Sequence, residues 1–91
     1  EDYNLLIKLS PNDSFAFHNR GVAKSFLNDF EGALADYTKA IELDSELADA
    51  YMARALAKIE LKQFDGLCAD LLKASENDIE KANTLIEQHC K

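Results

Sequence analysis

Cys68, Cys90, His18 and His89 are the side chains in this 91-residue sequence best suited to chemistry. Their spacing matches no zinc-ligand pattern, and two cysteines are too few for a disulfide scaffold. A nucleophile built from a cysteine and His89 would sit on one turn of a terminal helix. It would have no third group to orient it and no donors to hold an oxyanion. The sequence also has no glycine-rich phosphate loop and no paired acids in a credible cleft. The expectation is a non-catalytic chain without metal or cofactor. Cys68 and Cys90 have a second reading. Cys68 falls at the start of one helical segment and Cys90 at the end of the last. Antiparallel helices would bring those ends together, either as a disulfide stapling the C-terminal end or as two reduced, mostly buried thiols. The sequence leaves both open, and with them the redox compartment and the localisation.

The charge balance narrows the partners. Ten Lys and Arg stand against 17 Asp and Glu, for a net charge of −7. Nucleic acid and anionic membrane are poorly matched to such a surface. No apolar run reaches the roughly 18 residues of a membrane span. The chain starts at Glu1 with no signal-peptide pattern, so it reads as an excised piece of a longer protein.

The elements that must carry these side chains are all helical. Glu1 to Leu9 reads as the end of a helix stopped by Pro11. Ser14–Leu27 follows; then Asp29 caps Phe30–Leu43, with Glu31 in its first turn. Ser45 is the expected cap of a helix running from near Glu46 to Leu61. Lys62-Gln63 turns the chain into Phe64–Glu76, Asn77-Asp78 turns it again, and Ile79–Cys90 closes it. No segment alternates at period two long enough to form a strand, and no linker divides the chain.

A repeat underlies this order. Shifted by 34 residues, Ala16 falls on Ala50, Phe17 on Tyr51, Arg20 on Arg54 and Gly21 on Ala55. The same shift carries Lys24 to Lys58, Phe30 to Phe64, Gly32 to Gly66, Asp36 to Asp70 and Ala40 to Ala74. A period of this length means helix pairs that stack, because one pair cannot cover its own apolar face. Gly21, Ala33, Ala40, Ala55 and Ala74 are small where helices approach, and Phe17, Phe30, Tyr37, Tyr51 and Phe64 fill the wider gaps. The recurrence of Arg20 and Arg54 with Asp36 and Asp70 predicts structural ion pairs in preference to a contact with an acidic partner.

This pattern resembles the tetratricopeptide repeat (TPR), a helix–turn–helix unit of the same length. The small and aromatic signature falls on Phe17, Gly21, Phe30, Ala33, Tyr37 and Ala40, then on Tyr51, Ala55, Phe64 and Ala74. Pro11 stands where the family places its repeat-ending proline. Arg20 and Arg54 depart from the usual aliphatic residue, Ser45 from the next proline, and Leu67 and Leu71 from the residues at Ala33 and Tyr37. The resemblance implies an all-α fold of antiparallel helix pairs stacked as a short right-handed solenoid. It divides one domain, 1–91, into the end of a preceding repeat (1–11), two repeats (14–47 and 48–78) and a capping helix (79–91).

It also implies a function, a protein–protein interaction module whose first helices line a concave face for a peptide or protein. Projected on this chain, that face carries Phe15, His18, Asn19, Val22, Ser25 and Phe26, then Asp49, Met52, Ala53, Leu56, Ile59 and Glu60. The closing helix adds Asn83, Ile86 and Cys90. The apolar members either form a shallow groove, with His18, Asn19 and Asp49 orienting its occupant, or pack against neighbouring helices. Some family members clamp a C-terminal carboxylate with Lys, Asn and Arg. Here only Asn19 fits that set, and His18, Val22, Met52 and Ala53 occupy the other places, so such a clamp is not expected. The alternatives to peptide binding are a structural end-cap of a longer array and self-association as a homo-oligomer.

Overall fold

Two aspartates begin the best-formed helices. Asp13 Oδ1 accepts from the backbone N–H of Phe15 and Ala16 at 3.0 and 3.3 Å, and Asp29 Oδ1 accepts from Gly32 at 3.0 Å. Each satisfies amides that a helix start leaves unpaired. In the computed structural model, which describes residues 3–76 and 79–90, six helices follow in order. They are α1 (Tyr3–Leu9), α2 (Ser14–Phe26), α3 (Phe30–Leu43), α4 (Ala48–Leu61), α5 (Leu67–Ala74) and α6 (Ile79–His89). No strand occurs among the described residues. The turn expected at Asn77-Asp78, like the first two residues of the opening helix, lies outside them.

Helices α2 and α4 end alike. Asn28 and Lys62 take the left-handed conformation, at φ 63° and 57°. The next amide then reaches back over the last turn, from Asp29 to the Lys24 carbonyl at 2.8 Å and from Gln63 to Lys58 at 2.9 Å. This closure satisfies a terminal carbonyl and reverses the chain sharply, so the following helix packs back on the one before.

Two expected boundaries are corrected. Ser45 does not cap α4: the helix starts at Ala48, and Leu47 in the cap position provides no side-chain bond. The fourth full helix begins at Leu67 instead of Phe64, because Gly66 sits at φ 71°, outside the helical region. Phe64 is left 53% exposed.

Each helix packs on its neighbours in the chain, and α2 also meets α4. The result is an elongated stack of 42 × 25 × 19 Å. Its apolar interior forms three clusters. Phe17, Ala40 and Ala50 form the first; Ala33, Tyr37 and Ala57 the second; Ala55, Leu67 and Leu71 the third. The closest approach is Gly21 on α2, where a Cβ would lie 2.6 Å from Tyr37 Cε1.

Candidate functional site

Arginine ladders hold the pairs in line. Arg20 Nε and Nη2 donate to the two Asp36 oxygens, both at 2.8 Å, while Nη1 reaches Asn4 Oδ1 on α1 at 2.7 Å. Thirty-four residues on, Arg54 donates to Asp70 at 2.9 and 2.7 Å and to Thr38 on α3 at 3.4 Å. Lys24 and Lys58 add a second cation to each aspartate, at 3.2 and 2.9 Å. Asp36 and Asp70 are buried. Their hydrogen bonds raise the pKa of each arginine above its ordinary value against the opposing effect of burial. Each arginine also lies over the preceding aromatic ring, Phe17 or Tyr51, at 5.6 Å. These side chains tie three successive helices together and are turned to structure.

The opposite side of α2 and α4 faces two adjoining cavities. One, of about 320 Å³, is lined by His18, Val22, Asp49, Met52, Ala53 and Leu56, with Ala48, Ala74 and Lys81 completing it. The other, of about 500 Å³, shares Val22, Ala53 and Leu56 and adds Ser25, Tyr37, Ile59 and Glu60 from α2–α4 and Leu85, Gln88 and His89 from α6. The structure thus brings together His18, Val22, Asp49, Met52, Leu56 and Ile59. Phe15 lines a separate shallow pocket with Asp44, Glu46 and Asp49. Asn19 and Phe26 line none of the three, and Phe26 is 83% exposed. The two readings of the apolar stripe are mixed in one surface. Val22 and Ala53 also pack on the Tyr37 cluster, and Met52 and Ile59 on the Leu67–Leu71 cluster.

His18 lines the smaller cavity. Its ring lies 5.6 Å from that of Tyr37, and its Nδ1 is buried without a hydrogen-bond partner among the described residues. Burial lowers its pKa below the ordinary value, and the charge of Asp49 partly restores it. Burial raises the pKa of Tyr37, against the hydrogen bond its hydroxyl shares with Ser25 at 3.1 Å. No group of three or more His, Cys, Asp or Glu able to hold a metal occurs among the described residues.

The closing helix turns different residues to the cavities than the projection had it. Lys81, Leu85, Gln88 and His89 line them; Leu85 also packs on the Leu67–Leu71 cluster, as do Ile86 and Cys90, which line neither cavity. The 34-residue shift carries Arg54 to Gln88, so an uncharged side chain takes the ladder position and faces the cavity. That replacement was the available signal. Cys68 and Cys90 lie with Cα atoms 5.7 Å apart and their sulfurs at bonding distance.

No curated protein matches the chain. A sequence model of the TPR repeat matches residues 27–61. The TPR2B domain of yeast Sti1, in its complex with pHsp70, superposes with a TM-score of 0.78 at 32% identity, over 94% of this chain and 72% of that one. The TPR2AB domain of yeast Sti1, in its complex with pHSP90, gives 0.77 at 32% identity, over 94% of this chain and 35% of that one. This chain therefore spans about a third of the second match. Repeat period, helix order, sequence match and superposition agree, and the chain belongs to the tetratricopeptide repeat family.

Proposed function

We propose that the chain is a non-catalytic interaction module that takes a peptide or protein segment on the wall formed by α2, α4 and α6. The observation that carries this is the pair of adjoining cavities, lined by half-buried Val22, Met52, Leu56 and Ile59 with His18 and Asp49 beside them. The two Sti1 domains matched in complexes with pHsp70 and pHSP90 support the same class of function. Apolar side chains contribute most of the contact on such a surface, and few polar groups are needed to orient the occupant. The wall has no arginine and a single lysine, Lys81, so an internal apolar segment fits it better than a free carboxylate terminus. The chain works as one unit, with repeats at 14–47 and 48–78 between the half repeat 1–11 and the capping helix 79–91. No helix among the described residues is long and apolar enough to cross a membrane.

The test is selection of peptides from a random library on the wild-type protein, followed by anisotropy titration against Leu56→Glu. Loss of binding by a variant that keeps its helicity supports the wall. Unchanged binding, or amide shift changes confined to α3 and α5, refutes it.

A second reading gains from α1. Leu5, Leu6 and Leu9 are 51%, 45% and 72% exposed on one short helix, a face suited to stacking against another helix. That would make the chain an end-cap of a longer array or a self-associating unit. Sedimentation at rising concentration, compared with Leu9→Glu, tests the second of these.

A further inference from the structure

Helix α6 lines the larger cavity with Leu85, Gln88 and His89 and touches the smaller through Lys81, yet is poorly secured by packing over Glu80–His89. Of Glu80–His89 only Ala82 is fully buried; Leu85 and Ile86 are half-buried, and Glu80, Lys81, Asn83, Thr84, Glu87, Gln88 and His89 are exposed. It packs chiefly on α5, itself only eight residues long. A helix this short is marginal without tertiary support. Its covalent attachment to α5 is at its far end. Cys90, just past the last turn, meets Cys68 in the first turn of α5 across 22 residues of chain. Both cysteines are partly exposed, so a small thiol can reach them.

We propose that the Cys68–Cys90 pair is a redox latch on the concave wall. Oxidised, it holds α6 against α5, so that Leu85, Gln88 and His89 complete the larger cavity and Lys81 the smaller. Reduced, it frees α6 to undock, and the wall loses affinity. The inference rests on the wall being the binding surface.

The chemistry is thiol–disulfide exchange with a dithiol. A thiolate of the dithiol attacks one cysteine sulfur, the Cys68–Cys90 bond breaks, and the other cysteine leaves as a thiolate that takes a proton. The second thiol of the reagent then attacks the mixed disulfide and releases the first cysteine. Two electrons and two protons pass to the cysteine pair, and the dithiol ends as its own disulfide. A dithiol of lower potential is a sufficient reductant, and a disulfide of higher potential, such as oxidised glutathione, is the oxidant for closure, ending as two thiols.

The size of the effect follows from the docked population. If α6 is docked in about one reduced molecule in ten, a peptide needing the docked state binds about tenfold more weakly.

The experiment uses a fluorescein-labelled peptide isolated from a random library on the oxidised protein, titrated before and after dithiothreitol. Amide exchange is followed in parallel, and Cys68→Ala/Cys90→Ala serves as the reductant-blind control. The latch requires that dithiothreitol weaken binding about tenfold or more and expose the α6 amides while α2–α4 stay protected. The double variant must match the reduced protein and ignore the reagent. Equal affinity in the two redox states overturns the latch, as does full alkylation of both thiols after exposure of the folded, reduced protein to excess oxidised glutathione. Peptide binding indifferent to Leu56→Glu overturns instead the concave-wall reading on which the latch rests. Sensitivity to Leu56→Glu with indifference to dithiothreitol overturns the latch alone.

Discussion

Replacing Arg54 by alanine should destabilise the fold far more than a surface charge change does. Asp70 keeps only 4% of its side-chain exposure, and its two oxygens take three charged donors, two from Arg54 and one from Lys58. Arg54→Ala removes the bidentate pair and the bond to Thr38. Breaking a buried ion pair from one side costs about 3–5 kcal/mol when the other charge is left alone. Here Lys58 stays at 2.9 Å and Arg54 itself retains 19% exposure. Both discount the loss, to about 2–3 kcal/mol. With a urea dependence of roughly 1–1.5 kcal/mol/M for a domain of this size, the midpoint should fall by about 2 M at unchanged slope. Arg20→Ala should behave similarly, since Lys24 supports Asp36 in the same way. Lys73→Ala is the control. Its contacts to Glu46 and Glu76, at 3.4 Å each, are exposed, so the midpoint should stay within error. Urea denaturation of the four proteins under oxidising conditions decides the matter. A shift for Arg54→Ala no larger than that for Lys73→Ala would refute the claim that the ladder holds the stack.

Three further outcomes are expected. Gly21→Ala should cost about 1–2 kcal/mol by calorimetry, because the new methyl meets the Tyr37 ring, which is 2% exposed and tied to Ser25; Tyr37→Leu should recover part of that loss in the double variant. Lys62→Gly should stabilise by about 0.5–1 kcal/mol, since a left-handed φ of 57° strains a side-chain-bearing residue and suits glycine; no change in thermal midpoint would argue against it. For His18, the folded-state pKa lies below its ordinary 6.5. The unfolded chain therefore binds the proton more readily, so the contribution is full above about pH 6.5 and is lost as pH falls below it. Denaturant midpoints between about pH 7 and about pH 5 should fall more for wild type than for His18→Gln, and parallel curves would exclude His18 as the cause.

The sequence carried the stack because its determinants are local and repeated. Gly21 with Tyr37, and Ala55 with Leu71, show why: where the first helix takes a methyl, the second gives up the ring. Arg20 and Asp36 recur as Arg54 and Asp70 because each pair spans one turn of the repeat, a distance that the period itself encodes. What the period could not encode was anything decided by an absent next copy. By the 34-residue shift Ala82 takes the place of Ser14 and Ala48, while Thr84, in the place of the buried Ala16 and Ala50, is exposed. The rotation of helix α6 is set by what it can bury on α5. Ile86 and Cys90 turn to Leu67 and Leu71, Leu85 packs on the same cluster while also lining the cavity, and Gln88 and His89 are left toward the cavity. The projection that placed Asn83, Ile86 and Cys90 on the concave face assumed the rotation of a helix with packing on both sides. Ser45 misled for a related reason, since capping chemistry was available there but the helix began where Ala50 could enter the Phe17–Ala40 cluster. Packing overrode the cap, at the cost of an N-terminus without a side-chain acceptor. The lining of the two cavities is thus built from two kinds of residue. Those on α2 and α4 are fixed by the repeat and are half core already. Those on α6 rest on a short helix packed on a short helix and tied by Cys68–Cys90, so under the proposed function a change of occupant should be read first at Lys81, Leu85, Gln88 and His89.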